Sequence, residues 1–239
     1  NAYGIWLNRV TDNTTIGGTL ITDGNVIADN TSYGIFLANS SNIQIINNTI
    51  SDNGDDGVSI SGEGSALGSV NNSIIENSIF NNTKLGINLR AGADPLEYGI
   101  THNDPDDSDT TADPDRDGPN NLQNYPILIK ADYIDPNLSI FGKFRSEPNK
   151  HYRLDFYSNT ETDTNGFGEG ETHIGTVNAS TDSSGVFDFS LDSNNIDFSI
   201  AGLTHEYFAA TATECVAFGC ASLLSTSEFG LSTNVDNIV

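Results

Sequence analysis

The chain has no methionine, one tryptophan, two cysteines, and nine lysines and arginines against 33 aspartates and glutamates in 239 residues. Each shortage excludes something. A net charge of −24 leaves too few cations to neutralise phosphates, so nucleic acid is excluded as a partner and an anionic membrane surface is disfavoured. No segment reaches the roughly 18 consecutive apolar residues of a spanning helix, so membrane insertion is not expected. The lack of methionine, with a start inside a repeat, predicts a chain cut from something longer. His102, His151, His173 and His205 fall in separate segments without metal-ligand spacing. Cys215 and Cys220 are separated by four residues. That gap suits a small disulfide loop and fits no zinc pattern, since no second pair follows. A disulfide there predicts an oxidising location, extracellular or on a cell surface; two free thiols are the alternative.

What the sequence has in excess is a repeat. The pattern Asn-x-Ile-x-x-Asn-x-x-x-Gly-[Ile/Val]-x-[Leu/Ile] starts at Asn25, Asn48 and Asn77. It carries Gly34-Ile35-x-Leu37, Gly57-Val58-x-Ile60 and Gly86-Ile87-x-Leu89, and Gly4-Ile5-Trp6-Leu7 is a fragment of a further copy. Spacings of 23 and 29 residues signal stacked structural units. The six extra residues of the second spacing fall within Ser61–Gly68, as a loop from the wall. Apolar positions alternate with polar ones, and β-branched residues and Asn dominate over helix formers. Each copy therefore reads as several short strands with polar corners. The repeated Gly fits a corner at positive φ or a close approach between coils. The repeated Asn fits an amide ladder running along the stack.

These residues resemble the right-handed parallel β-helix repeat family, the pectin-lyase-like superfamily in the broad sense, over residues 1–95. The resemblance implies a solenoid, and it implies no activity. Polygalacturonases on this fold carry an adjacent acid and base pair of aspartates near a similar corner, and Asp55-Asp56 stands in that place. The accompanying Gly-His-Gly and Arg-x-Lys motifs are missing, and the solenoid half offers only Arg9, Lys84 and Arg90 as cations. Asp55 and Asp56 are accordingly a weak catalytic alternative to a polar corner. Trp6, Tyr33 and Phe36 suggest a sugar-stacking stripe, with Trp6 and Tyr33 as candidate carbohydrate contacts; core filling is the plainer account of Phe36, and exposure by truncation the alternative for Trp6.

Residues 96–124 change character. From Asp104 to Asp117, seven of fourteen residues are aspartate: Asp104, Asp106, Asp107, Asp109, Asp113, Asp115 and Asp117. Asp113-Pro114-Asp115-Arg116-Asp117-Gly118 imitates the first half of a calcium loop, in which alternate carboxylates converge on one ion. Asn124 occupies the position of the closing glutamate, so this is not an EF-hand. Asn120 or the first aspartate cluster is expected to complete the ligand set. Calcium is the expected cofactor, because crowded like charges favour a cation; a solvated acidic linker is the alternative.

From residue 125 to 239 longer alternating segments predict seven strands, at Pro126–Ile134, Leu138–Arg145, Tyr152–Tyr157, His173–Ala179, Val186–Leu191, Tyr207–Ala212 and Thr226–Leu231. Such spacing predicts an antiparallel, Ig-like β-sandwich. Gly118-Pro119-Asn120-Asn121-Leu122-Gln123-Asn124-Tyr125-Pro126 is similar to the linker before C-terminal modules of large bacterial surface proteins. So is Thr226-Ser227-Glu228-Phe229. The whole is expected to be all-β, a short right-handed parallel β-helix joined to an antiparallel Ig-like β-sandwich. The expected role is a secreted or cell-surface structural or adhesive fragment with a calcium-stabilised junction. Its expected partner is a polysaccharide or a host or cell-surface glycan. A polysaccharide lyase or glycoside hydrolase acting on the β-helix wall is the alternative.

Overall fold

The computed structural model describes residues 1–62, 68–90, 99–104, 107, 118–134, 137–162, 166–193, 196, 198 and 207–238. No α-helix occurs among them. Ten short strands build the first half. β1 (Ile5–Asn8), β4 (Ile35–Ala38), β7 (Val58–Ser61) and β10 (Ile87–Arg90) form sheet A; β2 (Thr14–Gly17), β5 (Ile43–Ile46) and β8 (Ser73–Ile75) form sheet B; β3 (Val26–Ala28), β6 (Thr49–Ser51) and β9 (Ser78–Phe80) form sheet C. Every pairing within them is parallel. The repeat is therefore one three-sided coil.

Inward positions of the three sheets are filled by Ile, Leu and Val, which form a single core. Corners are turned mainly by polar residues in the left-handed region, including Asp29, Asp52 and Asn81 after sheet C. Short polar side chains tolerate that conformation, so glycine is not required there. The repeated glycine serves the other purpose. A Cβ on Gly34 would lie 2.6 Å from Gly57 O, and one on Gly57 would lie 2.8 Å from Gly86 O. Stacked coils approach too closely for any side chain.

The repeated asparagines form two ladders. Asn25 Nδ2 donates to Asn48 Oδ1 at 2.9 Å, and Asn48 Nδ2 to Asn77 Oδ1 at 3.0 Å. Asn30 Nδ2 donates to Asn53 Oδ1, and Asn53 Nδ2 to Asn82 Oδ1, both at 2.9 Å. Register also places the longer spacing. Ala38 pairs with Ser61, 23 residues on, whereas Ser40 N donates to Ser69 Oγ, 29 residues on. The extra residues enter between them, as expected.

The second half contains β11 (Ile127–Ile134), β12 (Asn137–Arg145), β13 (His151–Asn159), β14 (Thr172–Ser180), β15 (Val186–Asp192), β16 (Tyr207–Cys215), β17 (Leu223–Thr226) and β18 (Thr233–Ile238). Their order is β14-β13-β16-β18-β11-β12-β15, with β17 on β16; all pairs are antiparallel except β11 with β18. The two ends of this path share a core that includes Phe144, Tyr152, Phe156, Phe189 and Phe208. Six expected strands appear with shifted ends. The seventh, Thr226–Leu231, does not: β17 ends at Thr226, β18 begins at Thr233, and of the residues between them 227–230 are buried while Leu231 is exposed.

The second half closes the open end of the solenoid. Sheet A ends where Glu228 Oε1 accepts Leu89 N–H at 2.8 Å. Sheet B ends where Thr226 Oγ1 accepts Ile74 N–H at 2.9 Å and Thr226 N donates to Asn72 O. Sheet C ends on Gly170, which exchanges hydrogen bonds of 2.7 and 2.8 Å with Ile79. The second Asn ladder continues into Glu169, whose Oε1 accepts both Asn82 N and Nδ2. Phe229 covers Gly86 and joins the solenoid core. An uncovered edge is a template for aggregation, and a solenoid needs its ends capped. Here the cap supplies substitute partners for a coil that is absent.

Candidate functional site

Because Ile5, Leu7, Ile35, Leu37, Val58, Ile60, Ile87 and Leu89 point into the core, the residues between them face outward from sheet A. Register puts Trp6, Phe36, Ser59 and Asn88 in one row, and Asn8, Ala38, Ser61 and Arg90 in the next. Three residues before the first row stand Tyr3, Tyr33, Asp56 and Leu85. The face is consequently divided. Its first two coils carry aromatic rings and its last two carry polar groups.

The aromatic part is continuous. Tyr3 stacks on Tyr33 at 5.6 Å and on Phe36 at 5.8 Å, Tyr33 on Phe36 at 5.0 Å, and Tyr3 meets Trp6 at 5.5 Å. Trp6 is 56% exposed. Arg90 reaches back across two coils, and its Nη1 donates to Tyr33 Oη at 2.5 Å. Its guanidinium carbon lies 5.7 Å from the Tyr33 ring centre. Burial, together with Asp55 and Asp56, holds the Tyr33 phenol above its ordinary pKa, against the lowering pull of Arg90. The two sequence candidates, Trp6 and Tyr33, thus belong to one shelf, and Tyr3 and Arg90 were missed. The shared three-residue spacing from Tyr3 to Trp6 and from Tyr33 to Phe36 was the available signal for Tyr3.

Asp55 and Asp56 lie beside this shelf but face different surroundings. Asp55 pairs with Lys84 Nζ at 2.8 Å. That hydrogen bond raises the Lys84 pKa, burial opposing it. Asp56 is 1% exposed; its Oδ1 accepts Leu85 N–H at 3.3 Å and its Oδ2 accepts Asn88 Nδ2 at 3.0 Å. Burial pushes its pKa up to about 6, against the lowering effect of the Asn88 hydrogen bond, while Asp55 adds to the rise. Asn88 Oδ1 is buried and accepts no hydrogen bond among the described residues. A carboxyl titrating near neutrality suits proton transfer. Here its oxygens are committed to the wall of the coil.

The expected calcium region divides as well. Asp106, Asp109, Asp113, Asp115 and Asp117 lie outside the described residues. Asp107 accepts from Gln123 Nε2 at 2.6 Å, from Asn124 N at 3.3 Å and from the Ser146 hydroxyl, which also bonds Tyr152 Oη. Asp104 exchanges backbone hydrogen bonds with the Asn124 side chain at 3.1 and 2.9 Å. Asn120 is fully buried; its Oδ1 accepts Asn72 N–H, and its Nδ2 donates to Asn72 O and Thr226 O. No group of three or more His, Cys, Asp or Glu suited to a metal occurs among the described residues. The Asn120–Asn124 segment is a clasp that joins the solenoid end, the start of the acidic segment and the second half.

Two further charged contacts complete this joint. Asp155, fully buried, accepts from Arg153 Nε at 2.7 Å and Thr176 Oγ1 at 2.6 Å, and pairs with His173 Nε2 at 2.8 Å. His173 and Arg153 hold its pKa down despite burial, which acts in the opposite sense. Arg153 also reaches Glu76 on the solenoid at 2.6 Å. Cys215 and Cys220 form the expected disulfide and close the β16–β17 hairpin. Against this geometry, residues 1–104 match the model of the right handed beta helix region family.

Proposed function

We propose that the chain is a secreted or cell-surface structural module of adhesive type, without catalysis, which holds a glycan on the aromatic shelf of sheet A. The observation that carries this reading is the continuous array of Tyr3, Trp6, Tyr33 and Phe36 on one outer face. Aromatic faces present a flat apolar surface with a polar tip, which suits the mixed surface of a sugar ring. Asn-ladder stacking and the capped end favour a rigid support, and binding sites are most exact on rigid elements. The disulfide favours an oxidising compartment. We read the first half as a member of the pectin-lyase-like superfamily and the second as an Ig-like sandwich, the latter from strand count and alternation. Calcium at the acidic segment belongs to the same proposal and rests on its charge density.

The lyase or hydrolase alternative is disfavoured because Asp56 is turned into the wall and Asp55 is held by Lys84. A glycan array followed by titration calorimetry of the strongest hit tests the proposal. Trp6→Ala and Tyr33→Ala should each weaken binding about tenfold or more, the effect of losing most of one aromatic contact. Unchanged affinity in both variants would refute the shelf. Release of reducing ends from any glycan, abolished in Asp55→Asn or Asp56→Asn, would establish the enzymatic alternative.

A further inference from the structure

A concave site lies on a different wall of the solenoid. A groove of about 230 Å³ runs along the outer face of sheet B and is closed by Leu223 and Leu224 of β17. Its floor is a row of one side chain per coil, Thr15, Gln44 and Ser73, aligned by the parallel register. A second row, Asn13, Asn42 and Asn71, follows the adjoining corner. No lining residue is charged, in a chain whose net charge is −24. The side chains of Thr15, Gln44, Ser73 and Asn13 make no hydrogen bond to described residues, although Ser73 is only 4% exposed. Elsewhere in the solenoid, amides and hydroxyls on successive coils are bonded into ladders. The outward row of sheet B is an exception.

We propose that this groove binds a neutral, linear oligosaccharide lying along the solenoid axis. Amides and hydroxyls offer both donors and acceptors, the complement of a ligand dense in hydroxyl groups. They repeat at the spacing of parallel strands, about 4.8 Å, so a ligand made of repeated units can make the same contact on each coil. Leu223 and Leu224 give an apolar wall against which ring C–H groups can rest. An anionic sugar polymer finds no cation here and meets the field of an acidic protein. A cation finds no carboxylate in the lining. A peptide is disfavoured because the floor is the face of a sheet, and backbone groups are offered at edges.

The test uses the full chain and a panel of neutral linear hexasaccharides with glucan, xylan, mannan, galactan and chitin backbones. Oligogalacturonate is the anionic comparator. Binding is read by titration calorimetry, with amide chemical shifts to locate it. At least one neutral hexasaccharide should bind saturably at millimolar concentration or below, and oligogalacturonate should not. The double substitution Thr15→Val with Gln44→Ala should weaken that binding about tenfold, the loss of one to two hydrogen bonds. Gln44→Glu should weaken it as well. Both positions face outward, so melting temperatures should not change, and Trp6→Ala should leave this binding intact. No binding across the panel, equal binding of oligogalacturonate, or binding lost in Trp6→Ala yet kept in the groove variants would overturn the proposal. The last outcome would leave the shelf of sheet A as the site. Retention of groove binding with an inert shelf would refute the shelf alone.

Discussion

Asn53→Ala removes a central rung of the buried ladder, and its cost follows from the bonds it makes. Asn53 Oδ1 accepts Asn30 N at 3.2 Å and Asn30 Nδ2 at 2.9 Å, while Asn53 Nδ2 donates to Ile27 O at 3.3 Å and to Asn82 Oδ1 at 2.9 Å. All lie in the interior, with Asn53 1% exposed. Asn30 Nδ2 keeps Ala28 O, and Asn82 Oδ1 keeps Asn53 N–H, so part of the loss is softened. At about 1 kcal/mol net per hydrogen bond, the four together give about 3–4 kcal/mol. For a chain of 239 residues this lowers the melting temperature by roughly 10 °C. Asn53→Asp separates the ladder from simple packing. It keeps the shape but points an oxygen at Asn82 Oδ1 and Ile27 O, so it should cost at least as much as alanine. Urea unfolding followed by fluorescence measures both, because the one tryptophan, Trp6, lies in the solenoid. A loss below about 1 kcal/mol for alanine, or an aspartate variant as stable as wild type, would refute the reasoning.

Two other measurements bear on the charged groups. Asp56 has its pKa raised to about 6, so the folded state holds a proton that the unfolded chain has released. Stability contributed by the protonated form is present at low pH and declines as pH rises through that interval. Asp56→Asn should therefore be more stable than wild type near pH 8, by on the order of 2–3 kcal/mol, and show no advantage near pH 4. Asn88 can turn to offer its unpartnered Oδ1 to the new amide; chemical denaturation at both pH values checks this, and an equal difference at each would sink it. Calcium in hundredfold excess over its dissociation constant should stabilise by about 2.7 kcal/mol, a rise of roughly 5–10 °C that a chelator reverses. A melting temperature indifferent to both additions would remove calcium from the proposal.

Much of the coil was legible because its constraints recur at fixed positions. Gly34, Gly57 and Gly86 mark close approach between coils, and Asn25, Asn48 and Asn77 mark a ladder, so three copies state the same requirement three times. The third sheet was harder to see. Its strands have three residues, with Ile27, Ile50 and Ile79 as their inward residues, too few for an alternation to register. Thr226–Leu231 read as a strand because it follows the preceding strands at similar spacing and lies in a β-rich half. Its polar groups instead end the solenoid sheets: Thr226 on Ile74, and Glu228 on Leu89 and on Thr101 N–H at 2.8 Å. No local pattern distinguishes the two uses, since both demand extended backbone.

The candidate faces divide the same way. Sequence alone determined the coil, the inward and outward sides of its strands, the disulfide spacing and a net charge of −24. Tertiary structure decided which residues meet: Tyr3 with Tyr33 and Phe36, Arg90 with Tyr33 across two coils, and Thr15 with Gln44 and Ser73. It also decided that Asn120 pairs with the backbone of Asn72 at the solenoid end and that Asp107 anchors a clasp. The reason is physical. Inward positions are fixed by burial, which every coil imposes alike, whereas surface neighbours depend on a register set by the length of each loop, and on a cap that lies as many as 154 residues away in the chain.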